Sequence, residues 1–261
     1  GDIEPNLKLP PAQDGLPVAF ATRFVAAIIV DRVEHTAYIM CENEFSECLN
    51  QIQADIKNLS GDVSCYQQSI KIDALIEDDA QRYLEQVKRI KQYIVDGDVF
   101  QVNLSRGWHT QLKQNISHAS LFNKLARANP GPFNALMTLN DSAVISSSPE
   151  RLVEVRDGVV QTRPIAGTRP RSGDAQQDAN LSAELLRHPK ERAEHIMLID
   201  LERNDLGRIC QPGSVEVNEL MALESYQHVH HIVSNVRGRL REQVTPGEVI
   251  RAVFPGGTIT G

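Results

Sequence analysis

Lys190-Glu191-Arg192-Ala193-Glu194-His195, Asp200-Leu201-Glu202-Arg203-Asn204-Asp205-Leu206-Gly207-Arg208 and His228-Val229-His230-His231-Ile232-Val233-Ser234 are the runs that decide how this chain folds. The first two fall on one long helix, expected over residues 182–203, with a break at Pro189 and a close near Gly207. The third reads as a strand over 228–237, preceded by a shorter one over 214–217. Further on, Thr245-Pro246-Gly247-Glu248 is a capping box with proline at the first helical position, opening a short helix through Val253.

Toward the N-terminus, 152–155 and 159–163 read as strands joined by Asp157-Gly158, and 133–139 and 143–147 as another two. A helix is expected over 119–128, before Asn129-Pro130-Gly131-Pro132. Ala80, Leu84, Val87, Ile90 and Ile94 step by three and four along a helix face that stops at Gly97. Residues 99–104 alternate, with Phe100, Val102 and Leu104 on one side, and are expected to form a strand. Residues 18–40, interrupted at 31–35, suggest a hairpin, and 1–17, with four prolines, an extended lead-in. Strands grouped between helices without a strict β-α-β rhythm predict an α+β fold.

The 261 residues are 41% hydrophobic and 23% charged, the composition of a globular protein able to bury a substantial core. A formal charge of −7 with no basic stripe argues against a nucleic-acid partner. No apolar run approaches the roughly 20 residues that span a bilayer, so no membrane role is expected. Asp2, Glu4 and Pro5 stand where a secretory leader would be charged and apolar. The four cysteines, Cys41, Cys48, Cys65 and Cys210, show neither a C-x-x-C pair nor a zinc spacing, and are expected to be reduced thiols in the cytoplasm.

In order, Pro164 to Arg171 (P-I-A-G-T-R-P-R), Lys190 to His195, Asp200 to Arg208, His228 to Ser234 and Phe254 to Gly261 (F-P-G-G-T-I-T-G) resemble the chorismate-utilising enzymes, the group containing anthranilate synthase and aminodeoxychorismate synthase component I. The resemblance implies an anthranilate synthase component I-like α+β fold, with antiparallel sheets packed as a sandwich and helices outside. It is specific from Gly97 onward and weak before Asp79. Residues 1–78 are then a strand-rich N-terminal part, and 79–261 the first half of a chorismate-binding domain, incomplete at its C-terminus. A middle fragment of that kind is not expected to turn over on its own.

The resemblance also assigns roles. In Ser147-Ser148-Pro149-Glu150, Glu150 is placed to protonate the departing C4 hydroxyl, a task for a carboxyl of raised pKa. Glu194 matches a carboxylate that holds Mg2+, a hard ion that takes one or two protein carboxylates and keeps waters. His231 matches the histidine that takes the C2 proton during pyruvate loss. On a strand its neighbour His230 must face the other way, which suggests a packed residue. Gln101 stands where isochorismate and salicylate synthases carry a lysine base; a neutral amide cannot activate water, so those two activities are disfavoured. Ala166, Gly167, Thr168, Thr258, Thr260 and Gly261 match substrate-contacting positions.

Which amination is carried out divides the motifs. Ala166 replaces the lysine nucleophile common in aminodeoxychorismate synthases and agrees with anthranilate synthases. Pro132-Phe133-Asn134-Ala135, the doubled His230-His231 and the Phe254 to Gly261 run lean the other way. The expectation is amination of chorismate to 4-amino-4-deoxychorismate, on the route to p-aminobenzoate and folate, with ammonia from a glutamine amidotransferase partner. The alternatives are anthranilate formation and a binding module without chemistry.

Overall fold

The computed structural model describes residues 16–17, 19–59 and 69–260, the last without its side chain. Most of the expected lead-in, together with Cys65 and Gly261, lies outside the described residues. The chain divides into two units, Leu9–Gln67 and Gln68–Gly261 with Gly1–Lys8.

In the smaller unit, strands β1 (Ala26–Asp31) and β2 (Thr36–Cys41) form the expected antiparallel hairpin. Its turn is held by the Asp31 carboxylate, which accepts from the Val33 and Glu34 N–H groups at 2.8 and 2.9 Å. A 3-10 turn and helix α1 (Ser46–Asn58) follow, an element the sequence reading did not anticipate.

In the larger unit, β3 (Ile72–Glu77) pairs antiparallel with β4 (Trp108–Leu112), so residues just before Asp79 belong with those after it. Between them lies α2 (Ala80–Asp96), capped by the Asp79 side chain and closed by Gly97 at φ +82. The strand expected over 99–104 is not there: these residues run without regular structure from α2 to β4. Two bonds from the Asn103 amide, to the Thr258 and Ile259 carbonyls at 2.8 and 2.9 Å, fix that course in place of a ladder. Helix α3 (His118–Ala128) and the hairpin of β5 (Phe133–Leu139) and β6 (Ser142–Ser148) match expectation closely.

The remaining strands, β7 (Glu154–Arg156), β8 (Val159–Thr162), β9 (Ile165–Pro170), β10 (Glu216–Ser225) and β11 (Val229–Arg239), form one antiparallel sheet in the order β10-β11-β8-β7. Both β8 and β9 pair with β11 along one edge, Thr162 opposite Val236 and Ile165 opposite Val233. The interruption falls at Arg163-Pro164, because proline has no N–H to give the ladder. Its carbonyl still accepts from Ser234 N at 3.3 Å. The expected long helix is two, α4 (Ala175–Arg187) and α5 (Pro189–Gly207), broken at His188-Pro189 as Pro189 foretold. Helices α6 (Pro246–Val253), with its capping box intact, and α7 (Gly257–Thr260) complete the unit.

α5 lies on the sheet through His195, Leu198, Ile199, Glu202 and Leu206, residues three or four apart on one buried stripe. Val160 and Val236 from the sheet and Val249 and Val253 from α6 meet Ile199 and Leu206 in the core. Each fully buried aliphatic of this kind contributes about 1.5–3 kcal/mol. His195 is wholly buried there, its Nε2 2.7 Å from Ser234 Oγ and its Nδ1 3.3 Å from the Ala166 carbonyl. Ser234 Oγ also accepts from Met221 N–H at 2.8 Å, which leaves its own proton for His195 Nε2. The Nδ1–H then donates to Ala166, so the neutral ring satisfies every partner. Burial, which holds its pKa below the usual histidine value, agrees.

Candidate active site

Glu150 follows directly on β6. The Ser148 hydroxyl turns the chain there, donating to the Glu150 carbonyl at 2.7 Å and accepting from the Glu150 N–H at 3.2 Å. The carboxyl is thereby carried to the gap between β8 and β9, where Oε1 accepts from the Ile165 N–H at 3.2 Å. Thr258 approaches the same carboxyl from α7. Burial raises the Glu150 pKa above its ordinary value, and those two donors hold the rise back.

Glu150 lines a cavity of about 170 Å3 together with Arg151, Thr162, Arg163, Pro164, Thr258 and, from α5, Glu202. Glu202 is 5% exposed and is pushed up to about 7, first by burial and then by repulsion from Asp205 and Glu150. The Gly257 N–H and the Thr162 hydroxyl beside it oppose that rise. Thr162, itself 1% exposed, nonetheless has its Oγ1 outside normal hydrogen-bond geometry with any partner. Arg151 Nε is likewise buried and unpartnered, although its guanidinium reaches Glu154 at 2.5 Å. The cavity is therefore lined by two carboxyls, the Thr162 and Thr258 side chains and two arginines, the furnishing of a polar ligand site.

A second constellation lies on β9, β10 and β11. His231 Nδ1 is 2.8 Å from Thr168 Oγ1, and the ring tilts against Tyr226 at 5.7 Å between centroids. Burial lowers the His231 pKa, and nearby Glu224 partly offsets it. Glu224 is bonded by Arg163 and by the Tyr226 hydroxyl, and Arg163 also binds Glu219. Arg163 is thus shared between the cavity wall and the surroundings of His231. His230 faces the opposite way, as alternation requires, with Nε2 3.0 Å from Asp178 and Nδ1 2.7 Å from Ser225.

A match to the chorismate binding enzyme family covers residues 4–261. The chain belongs to that family. Aminodeoxychorismate synthase component 1 of Bacillus subtilis is 50% identical over 179 residues, 69% of this chain and 38% of the relative. Anthranilate synthase component 1 of the same organism is 44% identical over 179 residues, again 69% of this chain and 34% of the relative. The crystal structure of anthranilate synthase component I from Streptococcus pneumoniae superposes with a TM-score of 0.75 at 27% identity, covering 91% of this chain and 54% of that one. The chain thus spans little more than a third of the length of these curated relatives. Its α+β fold is the one that family's solved member shows.

Of the residues predicted from sequence, the structure brings Glu150 and Thr258 into one cavity. Ala166, Gly167, Thr168, His231, Gln101 and Glu194 are not among the residues lining it. Ala166 is buried on β9, and Gly167 takes φ +94, where an added Cβ would meet Leu185 at 3.1 Å and Glu191 Oε2 at 3.2 Å. Gln101 is half-buried on the irregular segment, two residues before the anchoring Asn103. The Thr260 side chain and Gly261 lie outside the described residues. Glu202 is the cavity residue that motif matching passed over; its signal was a glutamate in the middle of the buried stripe of α5.

Among the described residues no group of three or more His, Cys, Asp or Glu side chains gathers as a metal cage. Glu194 is half-buried on α5, one residue from His195, and takes part in no hydrogen bond or ion pair among the described residues. A carboxylate without a side-chain partner fits one hard donor for an ion that keeps its waters.

Proposed function

We propose that this chain forms part of an enzyme that aminates chorismate at C4, giving 4-amino-4-deoxychorismate, with ammonia supplied by a glutamine amidotransferase partner. The observation that carries the reading is Glu150, a half-buried carboxyl of raised pKa opening into a polar cavity. A C4 hydroxyl leaves only as water, so the reaction needs a donor of this kind; general acid catalysis contributes about 10²–10⁴-fold. In the mechanism Glu150 gives its proton to the departing oxygen while ammonia supplies the new C–N bond. Ala166 offers no nucleophile, so amination proceeds here without an enzyme–substrate adduct at that position. Glu194 would hold magnesium, which when bound neutralises a substrate carboxylate. The Pro132-Phe133-Asn134-Ala135 run and the doubled His230-His231 support the C4 choice.

One observation favours a second reading, anthranilate formation. His231, kept neutral by burial and oriented through Thr168, is suited to remove a C2 proton as pyruvate leaves.

The first test is calorimetric titration of the chain with chorismate, with and without Mg2+. Heat that depends on Mg2+, and that weakens in Glu194→Gln, is expected; its absence refutes the chorismate reading. The product that the complete enzyme forms with chorismate and ammonium separates the two aminations. Anthranilate fluorescence without an added lyase rejects the C4 choice.

A further inference from the structure

The cavity holds a second carboxyl that the proposed mechanism does not use. Glu150 accepts from the Ile165 N–H and faces the Thr258 hydroxyl, contacts that favour its charged form. Glu202 sits deeper, on the buried stripe of α5, only 5% exposed and beside the Thr162 hydroxyl. With Asp205 close by, an ionised Glu202 would put three acidic groups around one poorly solvated spot, and two ionised carboxyls in one cavity repel.

We propose that Glu202 is the proton store of this cavity, a positioning residue that holds a proton at rest and passes it to Glu150. The inference rests on the reading of Glu150 as the donor to a leaving hydroxyl. In that cycle Glu150 loses its proton as the C–O bond breaks and its electron pair departs with water. The Glu202 O–H then gives its proton to the Glu150 carboxylate, and Glu202 takes another from hydronium at the cavity mouth. The charged groups around Glu202 accord with this order. Asp205 and Glu150 disfavour its ionisation. Arg208 is engaged by Asp205, Arg151 by Glu154 and Arg163 by Glu219 and Glu224, so these guanidiniums are committed elsewhere.

The test is a pH titration of the chain labelled with carboxyl-13C glutamate, assigned with Glu202→Gln and Glu150→Gln. One glutamate carboxyl is expected to titrate near neutrality, to vanish in E202Q and to move to lower pH in E150Q. If E202Q does not fold, Glu202→Asp supplies the assignment, because position 202 then carries no labelled glutamate and its signal disappears. A spectrum in which every glutamate titrates in the ordinary carboxylate range overturns the inference. So does a near-neutral signal that persists in E202Q, or one unmoved in E150Q. Failure of Mg-dependent chorismate binding alongside a near-neutral Glu202 refutes the functional reading by itself, which keeps the two apart.

Discussion

Replacing Glu202 by glutamine should make the stability of the protein less dependent on pH. Glutamine keeps the shape of the protonated acid but cannot ionise. In the folded protein Glu202 titrates at about 7 instead of 4.5. A carboxyl whose folded pKa is raised favours the fold fully while both states are protonated, below about 4.5. That contribution is lost as pH climbs through the window from 4.5 to about 7, where the unfolded chain ionises freely and the folded one resists. At 1.36 kcal/mol per pKa unit the whole loss approaches ~3 kcal/mol, most of it falling between about pH 5 and about pH 8. Urea unfolding followed by circular dichroism near those two pH values measures it. The wild type should lose roughly 2–3 kcal/mol relative to E202Q on going from the lower pH to the higher. An unchanged gap between the two proteins would refute the reasoning, because it would mean that Glu202 ionises alike in both states.

Ser234→Ala should leave the His195 ring nitrogen and the Met221 N–H without their shared partner, lowering stability by about 1–3 kcal/mol in the same urea assay. Gly238→Ala would place a Cβ 2.6 Å from Cys210 Sγ and 3.2 Å from Val215 Cγ2, and should cost about 1–3 kcal/mol through overpacking; a melting temperature equal to the wild type's contradicts the close approach. Thr245→Ala removes the capping box of α6 and should cost about 1 kcal/mol. Glu224→Gln should lower the midpoint at which the His231 ring titrates, since Glu224 favours the imidazolium, and ring-proton NMR would detect no movement if the two do not interact.

What sequence could foresee divides along physical lines. The hairpins, α2 with its glycine stop, α5 with its proline start and α6 with its capping box are set by local chemistry, and they stand close to where periodicity put them. Residues 99–104 alternate as a strand should, but a strand also needs a partner, and Asn103 binds α7 carbonyls instead. β3 and β4 pair across the whole of α2, a long-range choice that no local window contains. Of the residues lining the cavity, motif matching singled out Glu150 and Thr258, because both sit in short distinctive runs. It did not single out Glu202, which burial sets apart: one acidic residue among His195, Leu198, Ile199 and Leu206, visible only once the helix is known to lie against the sheet.

The break in the ladder at Pro164 has a mechanical corollary. Within three consecutive residues the chain contributes Thr162 to the cavity wall and Arg163 to Glu219 and to the Glu224 beside His231, with Pro164 locking the backbone after them. A change that loosens this tripeptide will be felt at both places together, and specificity can be retuned on one flank only at some risk to the other.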